Sequence, residues 1–182
     1  MKLKLNNVRL AFPSIFEPRQ VNGQGKAAFS ASLLFEPNSE AHKAASAVIK
    51  AAAAEKWGAK GDAVLKTLLA SDKVCLHDGD AKSNYAGFEG MKYISARSLT
   101  RPLVLDERRQ PLVEADGKPY GGCYVNALLD IWAQDNQFGK RVNATLSGLQ
   151  FLRDGDAFVG GATASEEDFD DVTAPAMADD LV

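Results

Sequence analysis

Two stretches of the chain alternate so regularly that the side chains facing out of them can be read directly. From residue 123 to residue 132 the odd positions are Cys123, Val125, Ala127, Leu129 and Ile131, and the even ones are Tyr124, Asn126, Leu128, Asp130 and Trp132. Successive side chains of a strand point to opposite faces, so the odd set faces a core and Tyr124 and Trp132 face outward. Further on, Val142, Ala144 and Leu146 face inward while Arg141, Asn143 and Thr145 face outward. Over Met91–Leu99, Ile94 and Ala96 share one face, and Tyr93, Ser95 and Arg97 the other. Aromatic and basic residues thus recur together on outward faces. Rings offer a stacking platform to an unpaired base, and lysine or arginine neutralises a phosphate. No basic helix is present that would read base edges in a duplex groove. The competing use for Tyr93, Tyr124 and Trp132 is packing beneath the helix or a loop.

A second kind of chemistry needs converging carboxylates. Asp78, Asp80 and Glu89 could hold magnesium, as a metal-dependent nuclease would require. Asp78-Gly79-Asp80 is equally an ordinary turn, and no nucleophile motif or phosphate-cradling glycine loop accompanies it. Cys75 and Cys123 each lie inside an apolar run and read as buried free thiols. His77 is close to Cys75, but His42 is distant in sequence, and a zinc site needs more ligands at closer spacing. The reading is of a protein without catalytic residues, metal or cofactor.

Charge is unevenly spread. The chain carries 24 acidic and 21 basic residues, a net charge of −3 that by itself argues against nucleic acid. No Lys or Arg follows Arg153, and residues 161–182 hold seven acids. Setting those aside leaves 17 acids against 21 bases, a body of about +4 with a wholly acidic end. The last four residues, Asp179, Asp180, Leu181 and Val182, join charge to an apolar terminus and suit capture by a partner protein. The same tail could occupy the body's own basic groove in place of DNA. A solvated, solubilising extension is the simpler alternative.

The elements that must position these residues follow from pattern. Residues 2–12 read as a strand whose parity switches at Asn6-Asn7, predicting a β-bulge. Pro13 and Pro18 bracket an expected loop, Gly23 and Gly25 a turn, and residues 26–35 a second strand. Asn38 or Ser39 caps an alanine-rich helix that Gly58 stops after Trp57, and a short helix covers Asp62–Ala70. Residues 71–90 form an excursion, followed by a strand at Met91–Leu99, short pieces at 103–105 and 111–113, and two long strands at 121–133 and 140–153. The class is mainly β with a helical insertion, as in a small closed or partly open barrel. Residues 1–160 form the body and residues 161–182 a disordered acidic tail. No apolar stretch approaches the roughly 20 residues of a membrane helix, and Met1-Lys2-Leu3-Lys4-Leu5 starts a strand, not a signal peptide. The expected location is the cytoplasm.

Several segments together resemble the phage-encoded single-stranded-DNA-binding proteins formerly grouped as a domain of unknown function. They include Val8-Arg9-Leu10-Ala11-Phe12-Pro13-Ser14-Ile15-Phe16-Glu17-Pro18, Phe29-Ser30-Ala31-Ser32-Leu33-Leu34 and Glu55-Lys56-Trp57-Gly58. His77-Asp78-Gly79-Asp80, Tyr120-Gly121-Gly122-Cys123-Tyr124-Val125-Asn126 and residues 142–156 complete the match. The resemblance implies a five-stranded OB-fold barrel, non-specific binding of single strands, and a role in phage replication or recombination. With it, the groove is expected to use Tyr93, Tyr124 and Trp132 as stacking surfaces and Lys92, Arg97, Lys140 and Arg141 as phosphate partners. Phe138, at a hairpin tip, joins them, and Tyr85 and Lys82 in the excursion could form a flap over the strand. Phe12, Phe16 and Trp57 are read as packing residues. A tail of this kind resembles those of other single-strand binders, with DNA polymerase or recombination enzymes as partners, although many such tails end in an aromatic residue and this one ends in Leu-Val. A single-strand annealing or recombination mediator is the alternative function, a structural or regulatory adaptor that works through its tail a second, and a nuclease a third.

Overall fold

The computed structural model describes residues 1–21 and 23–158. The acidic tail, with Asp179, Asp180, Leu181 and Val182, lies outside the described residues. Among the described residues there are seven strands: β1 (Lys2–Val21), β2 (Gln24–Phe35), β3 (Leu76–Asp78), β4 (Lys92–Ser98), β5 (Leu103–Leu105), β6 (Tyr124–Asn136) and β7 (Gly139–Arg153). Two helices, α1 (Glu40–Trp57) and α2 (Gly61–Ala70), are inserted between β2 and β3.

Five strands close on themselves. β1 pairs antiparallel with β2 and β6, β2 with β4, and β6 with β7; a parallel pairing of β4 with β7 completes the ring. The closing seam has one direct register pair, Arg97 with Thr145. Beside it, Lys73–Cys75 splices the two strands: Ser95 N donates to Cys75 O, Cys75 N to Val142 O, and Val142 N to Lys73 O. The short strands β3 and β5 extend the sheet at its two edges. This is a closed five-stranded barrel of OB type.

The alternation of the long strands holds. Cys123, Val125, Ala127, Leu129, Ile131, Val142, Ala144 and Leu146 are all buried in the barrel core. The bulge at Asn6-Asn7 is present: between the pairs Leu5–Ala127 and Val8–Val125, β1 advances three residues and β6 two. The loop expected between Pro13 and Pro18 is not there. β1 runs through both prolines, because further register shifts between Ala11 and Ser14 and between Ser14 and Arg19 take residues out of the ladder. A proline without an N–H is tolerated at such positions.

Ser39 caps α1, its hydroxyl accepting from His42 N. α1 buries Ala45, Ile49 and Ala52 against the barrel wall, and Ala53 is buried as well. Gly61 lets α2 approach closely, since a Cβ there would lie 2.9 Å from Ala53 O. The excursion at 79–91 folds back over the outer face of β4, β2 and β1. There Phe88 and Tyr93 join Ala11 and Leu34 in a small second core outside the barrel wall. Gly79 permits this, because its N–H bonds to Met91 O at 2.7 Å and a Cβ would collide with Phe88 O. Among the described residues no helix is long and apolar enough to cross a membrane.

Candidate nucleic-acid interface

A concavity of about 1290 Å³ runs over the seam between β4 and β7. It exceeds the roughly 300–1,000 Å³ of a small-molecule pocket and suits a polymer. Its banks are the tips of two hairpins. The β1–β2 hairpin supplies Gly25 and Lys26, and the β6–β7 hairpin supplies Trp132, Gln134, Phe138 and Arg141. The floor is formed by Cys75, Ser95, Arg97, Val142, Asn143 and Thr145. In OB-fold barrels these two loops and the adjoining strand faces are where oligonucleotides bind.

The groove holds Lys26, Arg97 and Arg141, and among the described residues no carboxylate lines it. A surface with cations and no acids has a positive potential in a chain that is negative as a whole. Arg97 is oriented by a bond from Nη2 to Lys26 O at 2.9 Å, and among the described residues no carboxylate lies within ion-pair distance of it. Trp132 is 43% exposed, and its Nε1–H donates to Thr145 Oγ1 at 3.0 Å. That bond fixes the ring while its face remains open. Phe138 is 80% exposed at the two-residue tip between Asn136 and Gly139, and Asn136 Oδ1 accepts from its N–H. Among the described residues Phe138 joins neither hydrophobic cluster.

The other expected residues fall elsewhere. Lys140 is exposed on the same hairpin, opposite Asp135, and does not line the groove. Tyr93 is only 5% exposed, a correction to the outward reading. Its parity is outward, but the excursion covers it, so its ring meets Phe88 and His77 and is not open to a base. Burial, with Asp72 nearby, holds its hydroxyl above the usual tyrosine range. Lys92 is engaged with Asp78 at 3.1 Å. Tyr124 is half-buried near the start of β6. The guanidinium of Arg153 lies 3.7 Å from its centroid, so an arginine occupies the face expected to stack on a base. Tyr85 and Lys82 do sit together on the excursion, outside the groove.

Phe16 and Trp57 pack against the core, as expected. Phe12 is instead 51% exposed, because its backbone takes a left-handed φ of 48° in the bulge after Ala11. Lys26, Gln134 and Leu99 line the groove without having been singled out, and His77, weighed above only as a zinc ligand beside Cys75, lines it as well. Only Lys26 carried a signal, a cation beside the turn glycine Gly25. The carboxylates do not form a metal centre. Asp78 accepts from Asp80 N and Lys92, which hold its pKa below the usual value, and Asp80 accepts from Gly90 N. Among the described residues no group of three or more His, Cys, Asp or Glu could hold a metal ion.

A five-stranded barrel with a cationic, ring-lined groove between two hairpin tips defines the class of OB-fold nucleic-acid-binding domains. Comparison with known proteins agrees and goes further. The chain belongs to the family described as Enterobacter phage Enc34, ssDNA-binding protein, which it matches over residues 1–182. A relative described as putative protein p50, from Acyrthosiphon pisum secondary endosymbiont phage 1, is 47% identical over 176 residues, covering 95% of each chain. The structure is similar to that of the single-stranded DNA-binding protein from bacteriophage Enc34 in complex with ssDNA. The TM-score is 0.73 and the identity 29%, covering 87% of this chain and 89% of that one. The fold is shared with gp2.5, a single-stranded DNA binding protein encoded by bacteriophage T7. There the TM-score is 0.59 at 10% identity, covering 90% and 98% of the two chains.

Proposed function

We propose that this protein binds single-stranded DNA, without sequence preference, in the groove over the β4–β7 seam, and does so in phage DNA replication or recombination. The observation that carries the reading is the groove in which Trp132 and Phe138 stand beside Lys26, Arg97 and Arg141 with no carboxylate among the described residues that line it. Rings stack on any base, and the cations track the backbone, so neither contact selects sequence. The family and the Enc34 protein's structure with ssDNA support it. Anisotropy with labelled oligo-dT and with duplex of equal length tests it. Tighter binding of the single strand is expected, without added metal and weakening as salt rises, because phosphate contacts release counterions. Equal or tighter duplex binding, or a salt-independent affinity, would refute it.

The tail is assigned two linked roles on the strength of its charge. Residues 161–182 carry seven acids and no base, so they compete with DNA for the cationic groove. Once DNA occupies the groove, Asp179, Asp180, Leu181 and Val182 become free for a polymerase or recombination enzyme.

A further inference from the structure

Aromatic rings lead away from the groove in an unbroken line. His77, on the groove wall, stacks on Tyr93 with 5.0 Å between centroids. Tyr93 meets Phe88 edge-on at 5.1 Å, and Phe88 lies 5.6 Å from Phe12. Phe12 in turn packs edge-on against Tyr85 at 5.1 Å. The middle of the line is buried and its far end is open: Phe12 and Tyr85 are 51% and 47% exposed. Phe12 also sits in the left-handed region, where a bulky residue is an outlier that the surrounding structure must enforce. If that backbone served packing alone, it would bury the ring; it presents half of it to solvent. Lys82 stands at the same place, its Nζ 5.2 Å from the Tyr93 centroid and 5.9 Å from that of Phe88. Among the described residues no carboxylate lies within ion-pair distance of Lys82.

We infer that Phe12 and Tyr85, with Lys82 as phosphate partner, form a second stacking subsite that the same DNA strand reaches after leaving the groove. The inference rests on the groove reading given above. The reach is suitable. The ring-to-ring steps place Phe12 no more than about 16 Å from His77. At about 3.4 Å per stacked nucleotide that is about five nucleotides, and fewer if the strand is extended. The total stays inside the roughly 4–16 nucleotides that one OB-fold occupies. The buried pair Phe88–Tyr93 is the platform that holds the outer rings; it does not itself touch DNA.

Oligonucleotide length separates the two subsites. Full-length protein is titrated by anisotropy with oligo-dT ranging from about 4 to about 16 nucleotides. Tyr85→Ala is expected to match wild type on the shortest oligonucleotides that bind and to lose about 5-fold or more on the longer ones. Tyr85→Phe, which keeps the ring, should restore the affinity for long oligonucleotides. Phe12 also packs on Phe88, so Tyr85 carries the decision. Wild-type affinity of Tyr85→Ala at every length overturns the subsite, as does an equal loss at every length. Trp132→Ala reports on the groove separately. It should lose affinity at all lengths; failure to do so would refute the groove and with it a subsite reached from that groove, whereas loss there beside wild-type affinity of Tyr85→Ala refutes the subsite alone.

Discussion

Trp132→Ala is the most direct perturbation of the groove. The ring lies opposite the buried parity of β6, between Ile131 and Ala133, and its only hydrogen bond is the one to Thr145. Truncation therefore removes one partly exposed hydrogen bond, worth about 0.5–1.5 kcal/mol, together with the buried share of a ring that is 43% exposed. For a body of this size that lowers Tm by only about 2–4 °C per kcal/mol. The effect on binding should be larger. One base–aromatic stack contributes about 1–3 kcal/mol, so Kd should rise about 5- to 150-fold. Anisotropy with labelled oligo-dT measures the change, and a thermal melt on the same sample separates it from unfolding. Fluorescence offers a second readout. The chain has two tryptophans, and Trp57 is tied through Nε1 to Asp135 at 2.9 Å, outside the groove. Quenching on adding DNA should therefore disappear in Trp132→Ala and persist in Trp57→Phe. A folded Trp132→Ala with unchanged Kd would refute the stacking role, and persistent quenching would move the site elsewhere.

Other outcomes follow from the same geometry. Arg141→Ala should weaken binding to all sequences alike and reduce the slope of log K against log salt by about one unit, measured by titration at several salt concentrations. Deleting residues 161–182 takes the net charge from −3 to about +4 and should tighten single-strand binding, most of all at low salt where charges are least screened. Identical affinities at low salt would reduce the tail to a solvated extension. Deleting only Leu181 and Val182 should spare DNA affinity and weaken partner binding, as read by pull-down with a replication or recombination enzyme. Burial pushes the Cys75 thiol up to about 12 and raises that of Cys123, so neither should react with maleimide at pH 8 until the protein is unfolded. A free thiol ionises near 9, so between about pH 9 and 12 the unfolded chain loses a proton that native Cys75 keeps. Stability should therefore fall as pH rises through that window, and urea midpoints at pH 8 and 10 should lie closer together in Cys75→Ala than in the wild type, where Cys75 and Cys123 both contribute.

Much of this fold is legible from alternation, because a strand with one face in a core must repeat with period two. β6 and β7 announce their inward and outward sets, and with them Trp132, Arg141, Asn143 and Thr145. The capped helix and the Asn6-Asn7 bulge were equally readable. Parity fails where a third layer lies over the sheet. Tyr93 alternates outward like Ser95 and Arg97, but nothing in β4 itself signals that Phe88 folds over it. Phe12 errs in the opposite direction. It sits in an apolar run, and only a left-handed backbone turns it to solvent. Tyr124 was placed on the correct face, but the arginine that covers it lies 29 residues away, at Arg153, and reaches it only through the β6–β7 register. Lys26 and His77 come to the groove from a hairpin tip and a three-residue edge strand, where no periodicity exists to read.

The splice at Lys73–Cys75 gives the barrel an uneven grain. Along β6 and β7 thirteen register pairs hold the two strands together, whereas the β4–β7 join has one direct pair and three hydrogen bonds routed through an inserted segment. Breathing motions open where a structure has fewest bonds to break, so the amides of Cys75, Ser95 and Val142 should exchange with solvent well before those in the middle of β6. This join is also the floor of the groove. A polynucleotide lying across it grips both banks and works as a suture, raising the cost of opening at the one place where the ring is thinly sewn.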